Sequence, residues 1–95
     1  MRVEEACKIA VDYFSGIGEV GVRQVLDAEQ VYIIYPGTYD EIAYGGSAIT
    51  IHKETEEVKR FIMPSREAFA LLKIATEVEV PEEYIYVEEE NEDAE

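Results

Sequence analysis

The chain has few of the residues around which most catalytic and metal sites are built. Its 95 residues include one cysteine, one histidine and no tryptophan. A single cysteine excludes an internal disulfide framework, and one cysteine with one histidine cannot reproduce the ligand spacing of a zinc site. The serines have no histidine-based relay that would activate a nucleophile. These absences predict a protein that is not an enzyme and that needs no metal or other cofactor.

Long hydrophobic runs and a signal peptide are also missing. Every apolar run is far shorter than the ~20 residues that a bilayer requires. Nothing at Met1 resembles the charged and apolar regions of a secretory signal. We therefore expect a cytoplasmic protein, and the length favours a single domain.

Basic residues are scarce. The chain has 22 acidic residues against eight basic ones, a net charge of −14. Ten of the acidic residues lie between Glu77 and Glu95, and no lysine or arginine follows Lys73. Such a charge repels nucleic-acid backbones and anionic lipid, so neither is expected as a partner, whereas a basic protein would be attracted. The simpler interpretation is that the acidic residues only keep the protein soluble.

Apolar periodicity predicts two helices. Between Val3 and Phe14 apolar residues recur every three or four positions, and Cys7 lies inside this stripe as a core residue rather than a nucleophile. The second helix follows Pro64, with Ser65 as its N-cap. Its predicted buried face, on which Leu72→Ala should cost about 2–5 kcal/mol, consists of Ala68, Leu71, Leu72 and Ala75.

Between the helices, β-branched and aromatic residues predict strands. The segment from Gln30 to Tyr35 is the clearest, with the composition of a strand that is covered on both sides or central in its sheet, and Pro36 and Gly37 are predicted to end it. Glu19 to Leu26 predicts an earlier strand with a bulge near Gly21. The remaining predicted elements are a hairpin of residues 47–52 and 57–63, a strand at residues 76–80, and a further strand at residues 84–87.

These elements predict an α+β fold. It comprises an N-terminal helix, a three- to four-stranded antiparallel sheet, a second helix, a short C-terminal strand and an acidic tail. Residues 1–87 form one domain, and residues 88–95 form an acidic, disordered tail. We expect both helices to cover one face of the sheet. The other face would then stay open and carry the tyrosines between Gln30 and Tyr44, for a partner or a dimer.

Two motifs that suggest chemistry are better explained structurally. Gly16, Gly18 and Gly21 match a dinucleotide-binding fingerprint, but a helix precedes them and a strand follows, which is the reverse of the required order. His52 flanks a charged turn, and general-base chemistry there would need a carboxylate beside it in a cleft. A histidine at the solvated end of a strand is the simpler interpretation.

The best candidate binding site is the loop after the central strand. Tyrosine offers a large contact area at low entropic cost, and neighbouring carboxylates can pair with lysine or arginine of a partner. Alternatively, the two tyrosines fold back over the sheet and cap the core. The predicted partner-binding residues are Tyr39, Asp40, Glu41 and Tyr44.

Three segments together carry a resemblance to a known family. They are the leading helix with Ala6, Ala10, Tyr13 and Phe14, the aromatic strand Tyr32–Tyr35, and the stretch from Gly45 to Val58. These segments resemble the immunity-35 family of bacterial polymorphic-toxin systems, which is similar to PepSY-like domains. In the hairpin pattern Asp-x-x-Thr-Gly-x-Val of such domains, Thr55 and Val58 match, whereas His52 and Glu56 replace the aspartate and the glycine. The likeness spans about Val3 to Ile62.

The resemblance implies a small cytoplasmic protein that neutralises a cognate toxin, or another basic protein, by binding it without catalysis. Many such toxin domains are basic nucleases, so an acidic inhibitor could cover their substrate groove. The alternative is a homodimeric structural or regulatory domain that associates through an exposed sheet face or through the strand Gln30–Tyr35.

Overall fold

The computed structural model describes residues 1–38, 41–42 and 47–86. The predicted α+β class and the N-terminal helix are confirmed within this part of the chain. The acidic residues 88–95 lie outside the described residues. The elements, in chain order, are α1 (Val3–Ser15), β1 (Val22–Ala28), β2 (Val31–Thr38), β3 (Glu41–Ile42), β4 (Ile49–His52), β5 (Val58–Arg60), α2 (Arg66–Ile74), β6 (Thr76–Val78) and the 3-10 helix η1 (Glu82–Tyr84).

All strands of the sheet pair in antiparallel fashion. The spatial order is β5-β4-β2-β1-β6, and the two-residue β3 pairs with the end of β2. The four strands predicted between the helices correspond to β1, β2, β4 and β5, and the strand predicted at residues 76–80 corresponds to β6. Only the short β3 was not predicted. The strand predicted for residues 84–87 is replaced, in its described part, by η1 and one parallel bridge between Tyr86 and Thr38.

The central position predicted for the strand Gln30–Tyr35 is confirmed, but its predicted end is wrong. β2 continues through Pro36 and Gly37 to Thr38. The partner strand β1 is irregular between Val22 and Gln24, which places the predicted bulge just after Gly21, and Pro36 pairs opposite Val22 at the end of this irregularity. Pro36 has no N–H group that would need a hydrogen-bond partner at this irregular position. The N–H of Gly37 donates a hydrogen bond to the Val20 carbonyl at 3.1 Å.

The two helices lie on opposite faces of the sheet, so the expectation that both cover one face is wrong. Adjacent residues of a strand point to opposite faces. Ile34 of β2 packs with Phe14 and Cys7 of α1 in one apolar cluster, whereas Ile33 packs with Ala68 of α2 in a second cluster. Because β2 is apolar at consecutive positions, it supplies both cores.

The predicted helical stripe of α1 forms the larger core. Ala6, Cys7, Ala10 and Phe14 are all fully buried, as their spacing on one helical face requires. Gly18 follows the helix with φ at +84°, and the N–H of Glu19 donates back to the Phe14 carbonyl at 2.9 Å. This hydrogen bond and the left-handed conformation of Gly18 end α1 and turn the chain toward β1.

The β4–β5 turn is held by the side chain of His52 and by an unusual backbone conformation at Glu56. Glu56 adopts φ of +64°, a left-handed conformation that glycine adopts at lower cost. The Nδ1 of His52 accepts hydrogen bonds from the N–H groups of Glu54 at 3.2 Å and Thr55 at 3.3 Å. An aspartate side chain makes the same kind of bond in an Asx turn. His52 therefore has a structural role in the turn.

This role predicts how the turn responds to substitution. His52→Ala removes the shared acceptor and should lower the free energy of unfolding by about 0.5–1.5 kcal/mol. His52→Asn retains a short acceptor without adding charge and should stay within about 0.5 kcal/mol of the parent protein. Urea denaturation at neutral pH measures both changes. Equal losses for the two variants would show that Nδ1 does not hold the turn.

Candidate interaction surfaces

Helix α2 is only lightly attached to the sheet. The predicted N-cap is confirmed, since the Oγ of Ser65 accepts a hydrogen bond from the N–H of Ala68 at 3.1 Å. Of the predicted buried face, however, only Ala68 is buried, while Leu71, Leu72 and Ala75 remain partly exposed. Because α2 has only nine residues, it covers a small area of the sheet face on which it packs.

Large apolar side chains consequently remain in contact with solvent around this helix. Ile62 is 59% exposed and Phe69 is 54% exposed. Met63 and Ile74 are also exposed. We call these four residues the α2 apolar surface. Phe69 and Ile74 lie on α2, and Ile62 and Met63 lie in the segment between β5 and α2. Exposed apolar side chains of this kind are typical of a surface that contacts another molecule.

A groove lies beside this surface, between α2 and the β4–β5 side of the sheet. It encloses about 480 Å³. Val31, Thr50 and Phe61 line it from the sheet side, and Ala68 and Leu71 line it from the helix. We call it the α2 groove. Its charged lining residues are Lys59, Arg60 and Glu67.

The segment from Lys59 to Lys73 is basic, whereas the chain as a whole is acidic. Four of the eight basic residues lie between Lys59 and Lys73, where Glu67 is the only acidic residue. The other four basic residues are spread over the rest of the chain, which carries 21 of the 22 acidic residues. These basic residues do not share one face of the sheet, because Arg60 pairs opposite Ile49, which packs in the α1 cluster, whereas its neighbour Lys59 points to the α2 side.

The opposite side of the sheet carries a cluster of carboxylates. Helix α1 contacts η1, and Tyr84 packs against the α1 core. Burial raises the pKa of Tyr84, and the carboxylates of Glu83, Glu4 and Asp12 raise it further. All three carboxylates thus act on one site. Glu82 precedes Glu83 in η1. We call Glu4, Asp12, Glu82 and Glu83 the acidic face.

The same carboxylates act on the thiol beneath them. Cys7 is fully buried, as predicted. Burial raises the pKa of its thiol to about 12, with further contributions from Glu4 and Glu83. Since the thiolate is the reactive form, a buried thiol with a raised pKa is a poor nucleophile. The structure therefore supports the interpretation of Cys7 as a core residue.

We expect Cys7 to report unfolding rather than to react in the folded state. At pH 8 the raised pKa lowers the thiolate fraction about a thousandfold relative to an unfolded chain, and burial slows access further. Labelling with an aromatic disulfide should be slow in buffer and fast in denaturing urea. Rapid labelling in buffer, at a rate independent of added urea, would contradict the burial of this residue.

Most of the predicted partner-binding site lies outside the described residues. This applies to Tyr39, Asp40 and Tyr44, while Glu41 is described only as part of the backbone of β3. The backbone of Thr38 pairs with that of Glu41. The predicted role of this loop therefore stays a prediction.

Two other tyrosines that were expected on an open sheet face belong to the core. Tyr32 is 7% exposed and packs in the α1 cluster. Tyr35 is partly buried and meets the ring of Phe61 edge-on at 6.3 Å. Sequence reasoning missed the α2 groove instead, although the local change of charge between Lys59 and Lys73 was visible.

The chain matches no protein-family model, no curated protein and no solved structure. Neither helix in the described part of the chain has both the length and the apolar character needed to cross a bilayer. Among residues 1–38, 41–42 and 47–86, no three histidine, cysteine or acidic side chains are grouped so that they could hold a metal ion.

Proposed function

We propose that the chain is a small, non-catalytic binding protein that neutralises a cognate bacterial toxin by occupying its surface. The observation that carries this proposal is the charge distribution. The acidic residues outnumber the basic ones by 22 to eight, and three of them, Glu4, Asp12 and Glu83, act on Tyr84 at the acidic face. A basic toxin, such as a nuclease, presents the complementary charge.

An inhibitor of this kind acts through association. Complementary charges accelerate the encounter and orient the partners before contact. The acidic face is carried by α1 and η1, so its carboxylates are attached to regular secondary structure. The loop residues Tyr39, Asp40, Glu41 and Tyr44 are proposed as further contacts, since aromatic residues beside carboxylates suit a basic partner.

Cross-linking in the native host, followed by purification of the tagged chain, tests the proposal. We expect a basic protein to be captured that stops bacterial growth when expressed alone and not when expressed with this chain. Reversing charges on the acidic face, with Asp12→Lys and Glu83→Lys, should weaken binding at least about tenfold. Glu54→Lys with Glu57→Lys, the same charge change in the β4–β5 turn, should change it less than about twofold. A captured partner that is not toxic would contradict the toxin-inhibitor function.

A homodimeric structural or regulatory domain is the second candidate, and the α2 apolar surface favours it. Strand β2 cannot be its interface, because β1 and β4 flank it in the sheet and its residues Tyr32 to Ile34 are buried. Light scattering of the purified chain distinguishes the candidates. A stable dimer that Ile62→Ser converts to a monomer would support the second function, and a monomer at all concentrations would exclude it.

A further inference from the structure

A pocket lies near the edge of the sheet, where β1 and the chain after β6 separate. β6 pairs with β1 only along Val25–Asp27, so the residues after Val78 are not paired with the start of β1. The space between them encloses about 470 Å³, which falls in the range of sites that hold small ligands. We call it the β1 pocket. Its lining residues are Val22, Arg23, Glu77, Val78, Glu79, Val80 and Ile85.

The irregularity of β1 places an arginine at this pocket. The register with β2 shifts between Val22 and Gln24, so Arg23 has no partner residue in β2. An extra residue of this kind changes the direction of its side chain, and such bulges are frequent beside binding sites. Arg23 is also the only basic residue among those that line the pocket.

The guanidinium of Arg23 is unpaired in the described part of the chain. Its Nε is closed off from solvent and forms no hydrogen bond. Glu77 and Glu79 line the same pocket, but neither carboxylate is within ion-pairing distance of the guanidinium. A desolvated N–H group without an acceptor is unfavourable, because it has lost water and gained no partner. An anionic group beside the guanidinium offsets this cost.

We propose that the β1 pocket binds a free α-amino acid with an apolar side chain. This site is independent of the toxin-inhibitor function. The α-carboxylate of the ligand pairs with the guanidinium of Arg23, whose planar fork matches a carboxylate. The ammonium group pairs with the carboxylate of Glu77 or Glu79, and the ligand side chain packs on the apolar part of the lining.

The charges of the lining select a ligand that carries both signs. A lone anion such as inorganic phosphate would meet Arg23, but it would also approach the carboxylates of Glu77 and Glu79, which repel it. A lone amine would meet those carboxylates and leave Arg23 without a partner. An α-amino acid has a carboxylate and an ammonium group on one carbon atom, so both kinds of lining charge are matched.

The rest of the lining selects the side chain of the ligand. Val78 and Val80 pack against the α1 core, and together with Val22 and Ile85 they form the apolar part of the pocket. Among the lining residues, only the three charged ones have polar side chains. A polar ligand side chain would therefore exchange water for apolar contacts, which is unfavourable. The expected ligands are valine, leucine, isoleucine and methionine.

Isothermal titration of the purified full chain with these four L-amino acids tests the proposal. The amino acid that binds most tightly is then compared with its N-acetyl derivative, which lacks the ammonium charge, and with its amide, which lacks the carboxylate. We expect saturable binding of one amino acid per chain, at least about tenfold tighter than that of either derivative.

Variants of Arg23 separate recognition from folding. Arg23→Gln removes the charge and should weaken binding at least about tenfold. Arg23→Lys keeps the charge but loses the fork, and it should weaken binding about threefold or more. Arg66→Gln is the matched control, since Arg66 is exposed at the start of α2 and does not line the pocket; it should change the affinity less than about twofold. Urea denaturation establishes that each variant is folded.

The two glutamates provide a readout that a purely structural role would not change. Glu77→Gln with Glu79→Gln removes the groups that recognise the ammonium, so the amino acid and its N-acetyl derivative should bind this variant with affinities within about threefold of each other. Continued strong preference for the free amine in this variant would contradict the assignment of these carboxylates.

Several other results would overturn the proposal. These are no saturable binding of any of the four amino acids at millimolar concentration, or an affinity that Arg23→Gln leaves unchanged. Equal binding of the N-acetyl derivative to the parent chain would assign the pocket to a carboxylate alone, such as the C-terminus of a peptide. Equal binding of the amide would assign it to an amine. None of these results bears on capture of a toxin by the acidic face.

Discussion

Replacing Phe14 with alanine is expected to lower the free energy of unfolding by about 3–5 kcal/mol. Phe14 is fully buried at the end of α1, and it packs with residues of the central strands in the larger apolar cluster. Its ring also meets that of Tyr13 edge-on at 6.2 Å. Truncation would leave a cavity that the flanking sheet cannot fill.

Leu72→Ala is the matched comparison on the other side of the sheet. The sequence places Leu72 on the buried face of the second helix and predicts a loss of about 2–5 kcal/mol. In the structure Leu72 is only partly buried, so we expect about 1–2 kcal/mol.

Urea denaturation with a common m-value measures both losses. The total stability expected for 95 residues is about 5–14 kcal/mol, so the Phe14 variant should denature at much lower urea concentration. A loss for Leu72→Ala as large as that for Phe14→Ala would mean that α2 is held as firmly as α1. The α2 apolar surface would then be less open than the structure shows.

Local patterns predicted the elements that local physics determines. The stripe from Ala6 to Phe14 identified α1, because helical spacing and burial have the same cause. Ser65 identified the start of α2, because its hydroxyl satisfies a backbone N–H of the first turn. The β4–β5 hairpin followed from two β-rich runs on either side of a charged turn.

Features that depend on neighbouring strands were not predictable in the same way. Proline and glycine usually end a strand, yet Pro36 and Gly37 continue β2 because an irregular partner strand accommodates them. The placement of the helices on opposite faces had a visible signal. Residues 31–35 are apolar without alternation, which requires cover on both sides.

The candidate sites also depend on tertiary packing, so the sequence predicted them only in part. Attention to the tyrosines of residues 32–44 led away from α2, because Tyr32 and Tyr35 are needed in the two cores. Identifying the groove required knowing that α2 packs through few side chains. Charge alone hinted at it, since the basic residues are concentrated between Lys59 and Lys73.

Gly21→Ala is expected to lower the free energy of unfolding by about 2–4 kcal/mol, far more than an ordinary glycine substitution. Gly21 has φ of +70°. A Cβ atom there would lie 2.5 Å from the Cβ of Tyr86 and 2.9 Å from the carbonyl oxygen of Gly37. Both the backbone conformation and the space are therefore unsuitable for a side chain.

Gly18→Ala separates these two causes. Gly18 also has a positive φ, at +84°, but a Cβ atom there would have no heavy atom within 4 Å other than its chain neighbours. Only the conformational cost remains, about 1–2 kcal/mol. The difference between the two alanine variants in urea denaturation therefore measures the close approach of Tyr86 and Gly37 to Gly21.

A double-mutant cycle with Tyr86→Gly completes the test. Removing the Tyr86 side chain relieves the shortest contact, so Gly21→Ala should cost about 1–2 kcal/mol less in that background. The contact with the Gly37 carbonyl persists, so the cost should stay above that of Gly18→Ala. If Gly21→Ala costs the same with and without the Tyr86 side chain, the segment after η1 does not pack against the start of β1. The bridge from Tyr86 to Thr38 would then not contribute to closing that end of the sheet.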